Sequence, residues 1–280
     1  MRILVTGATG QLGTELRRVL VPWAEVIGLD LPELDVRHPD CAAKIAEPAP
    51  DWVIHTAAVT NVDGCERDPG LAMAVNAEGT RQVAEGCRKA RARLLYLSTD
   101  FVFDGHKRTP YTEEDTPAPL SVYGRSKLEG ERAAARVPGA TIVRTAWLYA
   151  AHGTNFVRTI LSKAFAGEHL RVVDDQVGSP TYAADLADAI RLLVAGNRSG
   201  LYHITNRGAC SWFEFTREIL RQAGLTAPLE PITTAALARP APRPAYSALA
   251  HQAWEAAGFP PLRPWPEALA AMLRARPSAA

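Results

Sequence analysis

At 280 residues and 30.3 kDa, the chain is long enough for one large domain, or for two that share a core. Its 47% hydrophobic and 22% charged residues exclude a disordered chain. Thirty-one Lys plus Arg against thirty Asp plus Glu leave a net charge of +1, so no strong field favours nucleic acid or an anionic membrane as a partner. The apolar run in MRILVTGATG is short and meets its glycines too early for a signal peptide, and no stretch approaches the ~20 apolar residues of a membrane span. Cys41, Cys65, Cys87 and Cys210 lack CxxC spacing, so neither a disulfide framework nor a metal site is indicated. The expectation is a soluble, reduced, cytoplasmic enzyme. A homodimer is compatible with the sequence, which does not fix the oligomeric state.

In chain order, Arg2–Thr6 reads as a strand and Gln11–Leu20 as a helix. Strands follow at Glu25–Leu29 and Asp51–His55, then a helix over 71–89 and a strand over 93–98. These strands are apolar almost throughout, as when helices cover both faces of a parallel sheet. The expected fold is therefore α/β, a doubly wound parallel sheet of Rossmann type. Helices are expected at 123–136, 155–166 and 183–195, with strands at 140–146 and 201–204. Prolines crowd residues 226–266, so long regular elements are not expected there. Trp254, Phe259 and Trp265 interrupt them as apolar anchors of an irregular lobe. The division expected is a dinucleotide-binding domain over 1–148, with 182–205 returning to it. A smaller mixed lobe over 149–181 and 206–280 would bind substrate.

Gly7-Ala8-Thr9-Gly10-Gln11-Leu12-Gly13 follows the first strand and opens the first helix. Glycines there permit the tight turn and let backbone N–H groups approach a pyrophosphate at the helix N-terminus. Asp30 ends the second strand, where a carboxylate can accept from the adenosine ribose hydroxyls and repel a 2′-phosphate. Arg37 and His38 lie close in sequence and act the other way, so the cofactor is NADH or NADPH.

Tyr123 and Lys127 stand four apart on a helix, hence on one face. Lowering a phenol's pKa by about three units takes roughly 4 kcal/mol. One ammonium at about 4 Å supplies around 4 kcal/mol at an effective dielectric of 20, a perturbation of the right size. Thr99 lies where the fourth strand ends, at the sheet edge where ligands of open α/β folds bind, and can hydrogen-bond a carbonyl oxygen and the phenol together.

With these pieces in register, the chain resembles the extended short-chain dehydrogenase/reductase superfamily, whose pattern is a GxxGxxG turn, a Ser/Thr after the fourth strand, and YxxxK. Within it the likeness is to the dTDP-4-dehydrorhamnose reductase family, carried by GATGQLGTEL at 7–16, AAVTNVDGCE at 57–66 and VNAEGT at 75–80. LSTDFVFDG at 97–105, PLSVYGRSKLEGE at 119–131, VRTAWLYAAHGTNFV at 143–157 and DDQVGSPTYAADLA at 174–187 extend it. The resemblance implies reduction of the 4-keto group of dTDP-4-dehydro-L-rhamnose by NAD(P)H, serving cell-surface polysaccharide synthesis. Tyr123 would give the proton, Lys127 would bind the nicotinamide ribose and depress the phenol's pKa, and Thr99 would complete the triad. Gln11 and Leu12 would contact the pyrophosphate, Asp30 the ribose, and Asp35 with Val36 the adenine. Ala57, Ala58, Thr60 and Asn76 would line the path toward the nicotinamide, with Asp100 and Trp147 against the substrate. Arg144, Arg158, Arg171 and Arg243 are candidates for the diphosphate. The alternatives are another nucleotide-sugar 4-ketoreductase or epimerase, or a non-catalytic NADP-binding subunit of the methionine adenosyltransferase type. Dehydration is disfavoured because Phe101, beside Asp100, cannot move protons.

Overall fold

Strand β1 (Arg2–Thr6) is an interior strand of the main sheet and shows why both sheet faces are apolar. Its alternate residues point to opposite faces: Ile3 and Val5 pack in one hydrophobic cluster and Leu4 in another. The computed structural model describes residues 1–275. After β1 come α1 (Gln11–Leu20), β2 (Glu25–Leu29), α2 (Cys41–Ala46) and β3 (Trp52–His55). Then follow α3 (Val62–Arg67), α4 (Pro69–Ala72), a π-helical turn over Met73–Gly79, α5 (Thr80–Ala90) and β4 (Arg93–Thr99). The chain continues with α6 (Val122–Ala134), β5 (Thr141–Thr145), β6 (Leu148–Tyr149), α7 (Phe156–Phe165) and β7 (Leu170–Val173). Next are β8 (Val177–Gly178), β9 (Thr181–Tyr182), α8 (Ala183–Ala195), β10 (Gly200–His203) and β11 (Cys210–Ser211). It ends with α9 (Trp212–Ala223), β12 (Leu229–Ile232), α10 (Thr234–Leu237), α11 (Gln252–Ala256) and α12 (Trp265–Arg274).

Six parallel strands form the main sheet in the order β10-β5-β4-β3-β1-β2. Leu12, Leu16, Ile190 and Leu193 of α1 and α8 cover one face, while Ile45, Val83 and Ala134 of α2, α5 and α6 cover the other. The chain leaves β1 for β2 on one side and returns to β3 on the other, so the order reverses between β1 and β3. A crevice opens at such a switch point, at the carboxyl ends of the strands. A separate cluster joins α7, α9 and α12 with β7 around Val157, Phe215 and Leu269.

Three features depart from the sequence pattern. The expected helix over 71–89 is interrupted by the π-helical turn, within which Asn76 faces inward. Helix α9 was not expected, although Ser211 and Glu214 form a reciprocal capping box at its start. Trp254 and Phe259 stack with centroids 4.4 Å apart and pack against the main-sheet cluster, while Trp265 joins the lobe cluster.

Arg144 was expected among the arginines facing a diphosphate. It is instead 3% exposed and tied to Glu131 of α6, Nε to Oε1 at 2.8 Å and Nη2 to Oε2 at 2.7 Å. Ser98 of β4 donates to the same carboxylate at 2.5 Å, so this ion pair fixes α6 to the β4–β5 edge. Removing one partner of a buried pair leaves the other charge uncompensated. Arg144→Ala is expected to lower the unfolding free energy by about 3–5 kcal/mol, read from the urea midpoint at constant m-value. A loss below about 1 kcal/mol would contradict this placement.

Candidate active site

Residues at the switch point enclose a cleft of about 730 Å³ that runs from Leu34 to Leu97. Its floor is the turn after β1. Gly7 adopts φ +68°, and a Cβ there would lie 2.7 Å from the Ala57 amide nitrogen, so a side chain would fill the cradle. Helix α1 starts on Gly10, which has no side chain to cap it, leaving the amides of its first turn open to an anion. Gln11 and Leu12 line the wall above. The Gln11 Nε2 donates to the Thr154 carbonyl at 3.4 Å, while its buried Oε1 has no partner. Glycines without room for a Cβ, open helix amides and an orphaned side-chain oxygen together suit a dinucleotide pyrophosphate.

At the outer end, Asp30 Oδ2 accepts from the Thr9 amide at 2.9 Å and the Thr9 hydroxyl at 2.6 Å. Its Oδ1 accepts from the Leu31 amide at 2.9 Å. Partial burial pushes the Asp30 carboxyl up, but the Thr9 and Leu31 hydrogen bonds outweigh it and hold the group below its ordinary range. Asp35 and Val36 line the same end. The Arg37 side chain grips Asp35 through Nε and Nη2 and draws its carboxyl down to about 2. Ala57, Ala58 and Thr60 line the cleft after β3, toward Leu97.

Asn76 does not line the cleft. It is fully buried, with Oδ1 accepting from the Val59 amide at 2.8 Å and Nδ2 donating to the Val59 carbonyl at 3.0 Å and to Ser126 at 2.9 Å. Its amide is spent on clipping the cleft wall to α6, so the expected cofactor contact is replaced by a supporting one.

The triad residues come together where β4 ends. Gly124 brings α6 against the Phe101 carbonyl so closely that any Cβ would clash with that backbone oxygen. Tyr123 and Lys127 are thereby both buried, at 9% and 4% exposure. Lys127 Nζ donates to the Leu97 carbonyl at 2.7 Å and lies 4.2 Å from the Tyr96 ring centroid. Burial lowers its ammonium to about 7, against a smaller upward pull from Glu131. Thr99 donates to Asp100 Oδ1 at 3.0 Å and accepts from the Phe101 amide at 3.2 Å. Burial pushes Asp100 up to about 6, although Ser247 and Thr99 hydrogen bonds favour its charge.

One expectation is overturned. Lys127 does not depress the Tyr123 phenol in this arrangement. Burial raises the phenol above its ordinary 10, the Thr99 hydroxyl pulls it partly back, and Asp100 adds to the rise. The lysine is aimed at Leu97 and Tyr96, so desolvation dominates.

A second cleft of about 450 Å³ opens in the other lobe, between α7, β7 and α9. Arg171 and Arg243 line it, as do Lys163, Trp212 and Arg239. Arg171 faces Glu230 at 3.5 Å, and Arg243 holds Asp63 through Nη1 and Nη2, each at 3.0 Å. Arg158 is exposed and donates to the Ala151 carbonyl at 3.0 Å, outside both clefts. Trp147 adopts φ +47° and stacks flat on Trp212 with centroids 3.5 Å apart.

Residues 1–277 match the RmlD substrate binding domain family. The chain belongs to that family. It is 46% identical over 280 residues to a dTDP-4-dehydrorhamnose reductase of Streptomyces griseus, covering 96% of this chain and 91% of that one. A probable dTDP-4,6-dihydroxy-2-methyloxan-3-one 4-ketoreductase of Streptomyces antibioticus is 44% identical over 277 residues, 96% of this chain and 93% of its own. The crystal structure of a Bacillus anthracis dTDP-4-dehydrorhamnose reductase in complex with NADP superposes with a TM-score of 0.95 at 37% identity, covering 97% and 98% of the two chains.

Sequence reasoning missed several lining residues of this RmlD-family chain. Gly153 and Thr154 close the first cleft over Gln11, and Trp212, Lys163 and Arg239 line the second. Each comes from a segment far from the glycine turn and the triad, and although Gly153 and Thr154 fall in the stretch 143–157 that carries the resemblance, nothing in it singles them out.

Gly13 offers a direct test of the cradle. A Cβ there would overlap the Gly7 carbonyl oxygen, which as backbone cannot yield. Gly13→Ala is expected to weaken NADH binding by about five- to 150-fold in a fluorescence titration, through a backbone shift costing roughly 1–3 kcal/mol. Unchanged affinity would exclude this turn as the pyrophosphate site.

Proposed function

We propose that the protein reduces the 4-keto group of dTDP-4-dehydro-L-rhamnose to dTDP-L-rhamnose with NADH or NADPH, in the cytoplasm, where reduced nicotinamides are held. The observation that carries this reading is the burial of Tyr123 and Lys127 on one face of α6 beside Thr99; none of the three lines the dinucleotide cleft itself, but Lys127 holds the carbonyl of Leu97, which does. The names of the S. griseus and B. anthracis relatives support the substrate, and the NADP complex supports the cofactor.

The bound reduced nicotinamide supplies a hydride to the carbonyl carbon. Everything else falls to the chain. A phenol raised by burial is fully protonated near neutral pH, which is the state a proton donor must have before reduction. Tyr123 gives that proton to the carbonyl oxygen as negative charge develops there. The phenolate left behind is a buried anion, and the Thr99 hydroxyl and the Lys127 ammonium are the groups able to offset it. Phe101 packs edge-on against Tyr123 with centroids 5.6 Å apart, so the position beside Asp100 is apolar and no second acid–base group serves a dehydration. In the second cleft a diphosphate would meet Arg243, Arg239 and Lys163, whose charges are shared with Asp63 and Glu168, and a base would meet the aromatic wall of Trp212.

The experiment is loss of reduced-nicotinamide absorbance with freshly made dTDP-4-dehydro-L-rhamnose, for wild type and Tyr123→Phe, using NADH and then NADPH. Wild type is expected to oxidise the cofactor rapidly. Tyr123→Phe should lose at least about a hundredfold in turnover while still binding NADH. Near-normal turnover by Tyr123→Phe would refute the assignment of the proton donor. Oxidation only with the keto sugar in the S. antibioticus relative's name would refute the sugar and leave the reductase.

A further inference from the structure

Residues 239–249 run from the second cleft to the end of β4 as a strap stiffened by Pro240, Pro242 and Pro244. The strap is registered on the rest of the molecule at several points. Arg243 holds Asp63, the Val177 amide donates to the Ala245 carbonyl at 2.8 Å, and the Ser247 amide donates to the Val177 carbonyl at 2.8 Å. At its far end, the Tyr111 amide donates to the Ala248 carbonyl and the Ala250 amide to the Tyr111 carbonyl, each at 2.8 Å. This registration delivers Ser247, 2% exposed, to the active site, where its hydroxyl donates to Asp100 Oδ2 at 2.5 Å. Thr99 donates to the other oxygen of the same carboxyl at 3.0 Å. Two hydroxyls from distant parts of the chain therefore share one buried carboxylate, and one of them belongs to the triad.

We propose that Ser247 is a positioning residue for the reduction: by occupying Oδ2 of Asp100 it loosens that carboxylate's hold on the Thr99 hydroxyl, freeing it to turn to the Tyr123 phenolate as the phenolate forms. The inference rests on the reductase reading above. Thr99 carries a single hydroxyl hydrogen, so Asp100 and the phenolate compete for it. A carboxylate that already accepts a charge-assisted bond from one hydroxyl carries less charge density for a second. Without Ser247, Thr99 is the only hydroxyl on the Asp100 carboxyl, which keeps its hydrogen, and the phenolate forms without that donor. The cost falls on the transition state, because the competition for the Thr99 hydrogen arises only as the phenolate forms.

The test compares wild type with Ser247→Ala and Ser247→Cys in steady-state reduction of the 4-keto nucleotide sugar, using NADH and NADH deuterated at the transferred position. Both variants are expected to lose roughly ten- to hundredfold in kcat, the range of one hydrogen bond to a charged group. KM and the NADH dissociation constant should stay within about twofold, and the isotope effect on kcat should grow as the chemical step slows. The thiol fills the serine's space and donates weakly, so Ser247→Cys separates the hydrogen bond from packing. Wild-type kcat in either variant overturns the inference, as does a parallel loss of NADH affinity, which would mark Ser247 as merely structural. A wild type that reduces no 4-keto sugar overturns the reductase reading and this inference with it, whereas active wild type with equally active variants overturns this inference alone.

Discussion

The chemistry depends on how closely α6 is pressed against the end of β4. Two glycines allow it: Gly124 meets the Phe101 carbonyl and Gly130 meets the Tyr96 hydroxyl, at distances where no Cβ would fit. The approach drives an ammonium and a phenol out of water together. Burying a charged lysine is costly, and the Leu97 carbonyl and the Tyr96 ring offset only part of that cost, so its pKa falls to about 7. The Glu131–Arg144 pair and Ser98 then lock the same helix to the sheet. Any loosening of this contact would rehydrate the lysine and the phenol, and the electrostatic basis of the site would go with it.

The position of the site follows from the sheet. At the switch point between β1 and β3 the chain must diverge, and the gap is floored by glycine and walled by the segments after β2 and β3 and by Leu97 of β4. Asn76 clips the Val59 backbone to Ser126 of α6, so cofactor wall and catalytic helix move as one piece. Asp63, just beyond that wall, is held at about 2 by Arg243 and Arg239, against the upward push of burial. The second cleft is thereby tied to the first. A nucleotide sugar spanning both would be held at its charged end by one part of the fold while its carbonyl met the other.

Much of this was legible because it is local. β1, α1, β2 and α8 occupy the expected residues, since short apolar runs and helical apolar periodicity in succession leave few alternatives. The four-residue spacing of Tyr123 and Lys127 sets their shared face, and the glycine turn sets the cradle. What failed to show was decided by distance in the chain. Arg144 looks like any surface arginine until β5 places it opposite Glu131. The direction of the Tyr123 shift depends on burial that only the packed helix creates. The π-helical turn has no local signature, because it is imposed by Asn76 reaching Val59 and Ser126. Helix α9 is different: Ser211 and Glu214 spelled out its capping box and could have been read.

The chemistry of this site turns on hydride delivery to C4 of a nucleotide sugar. Transfer of deuterium from NADH deuterated at both C4 positions, followed by NMR of the sugar product, tests it most directly. One deuterium per product molecule, at the sugar's C4, is the expected result. Product without deuterium, or deuterium at any other ring carbon, would contradict it.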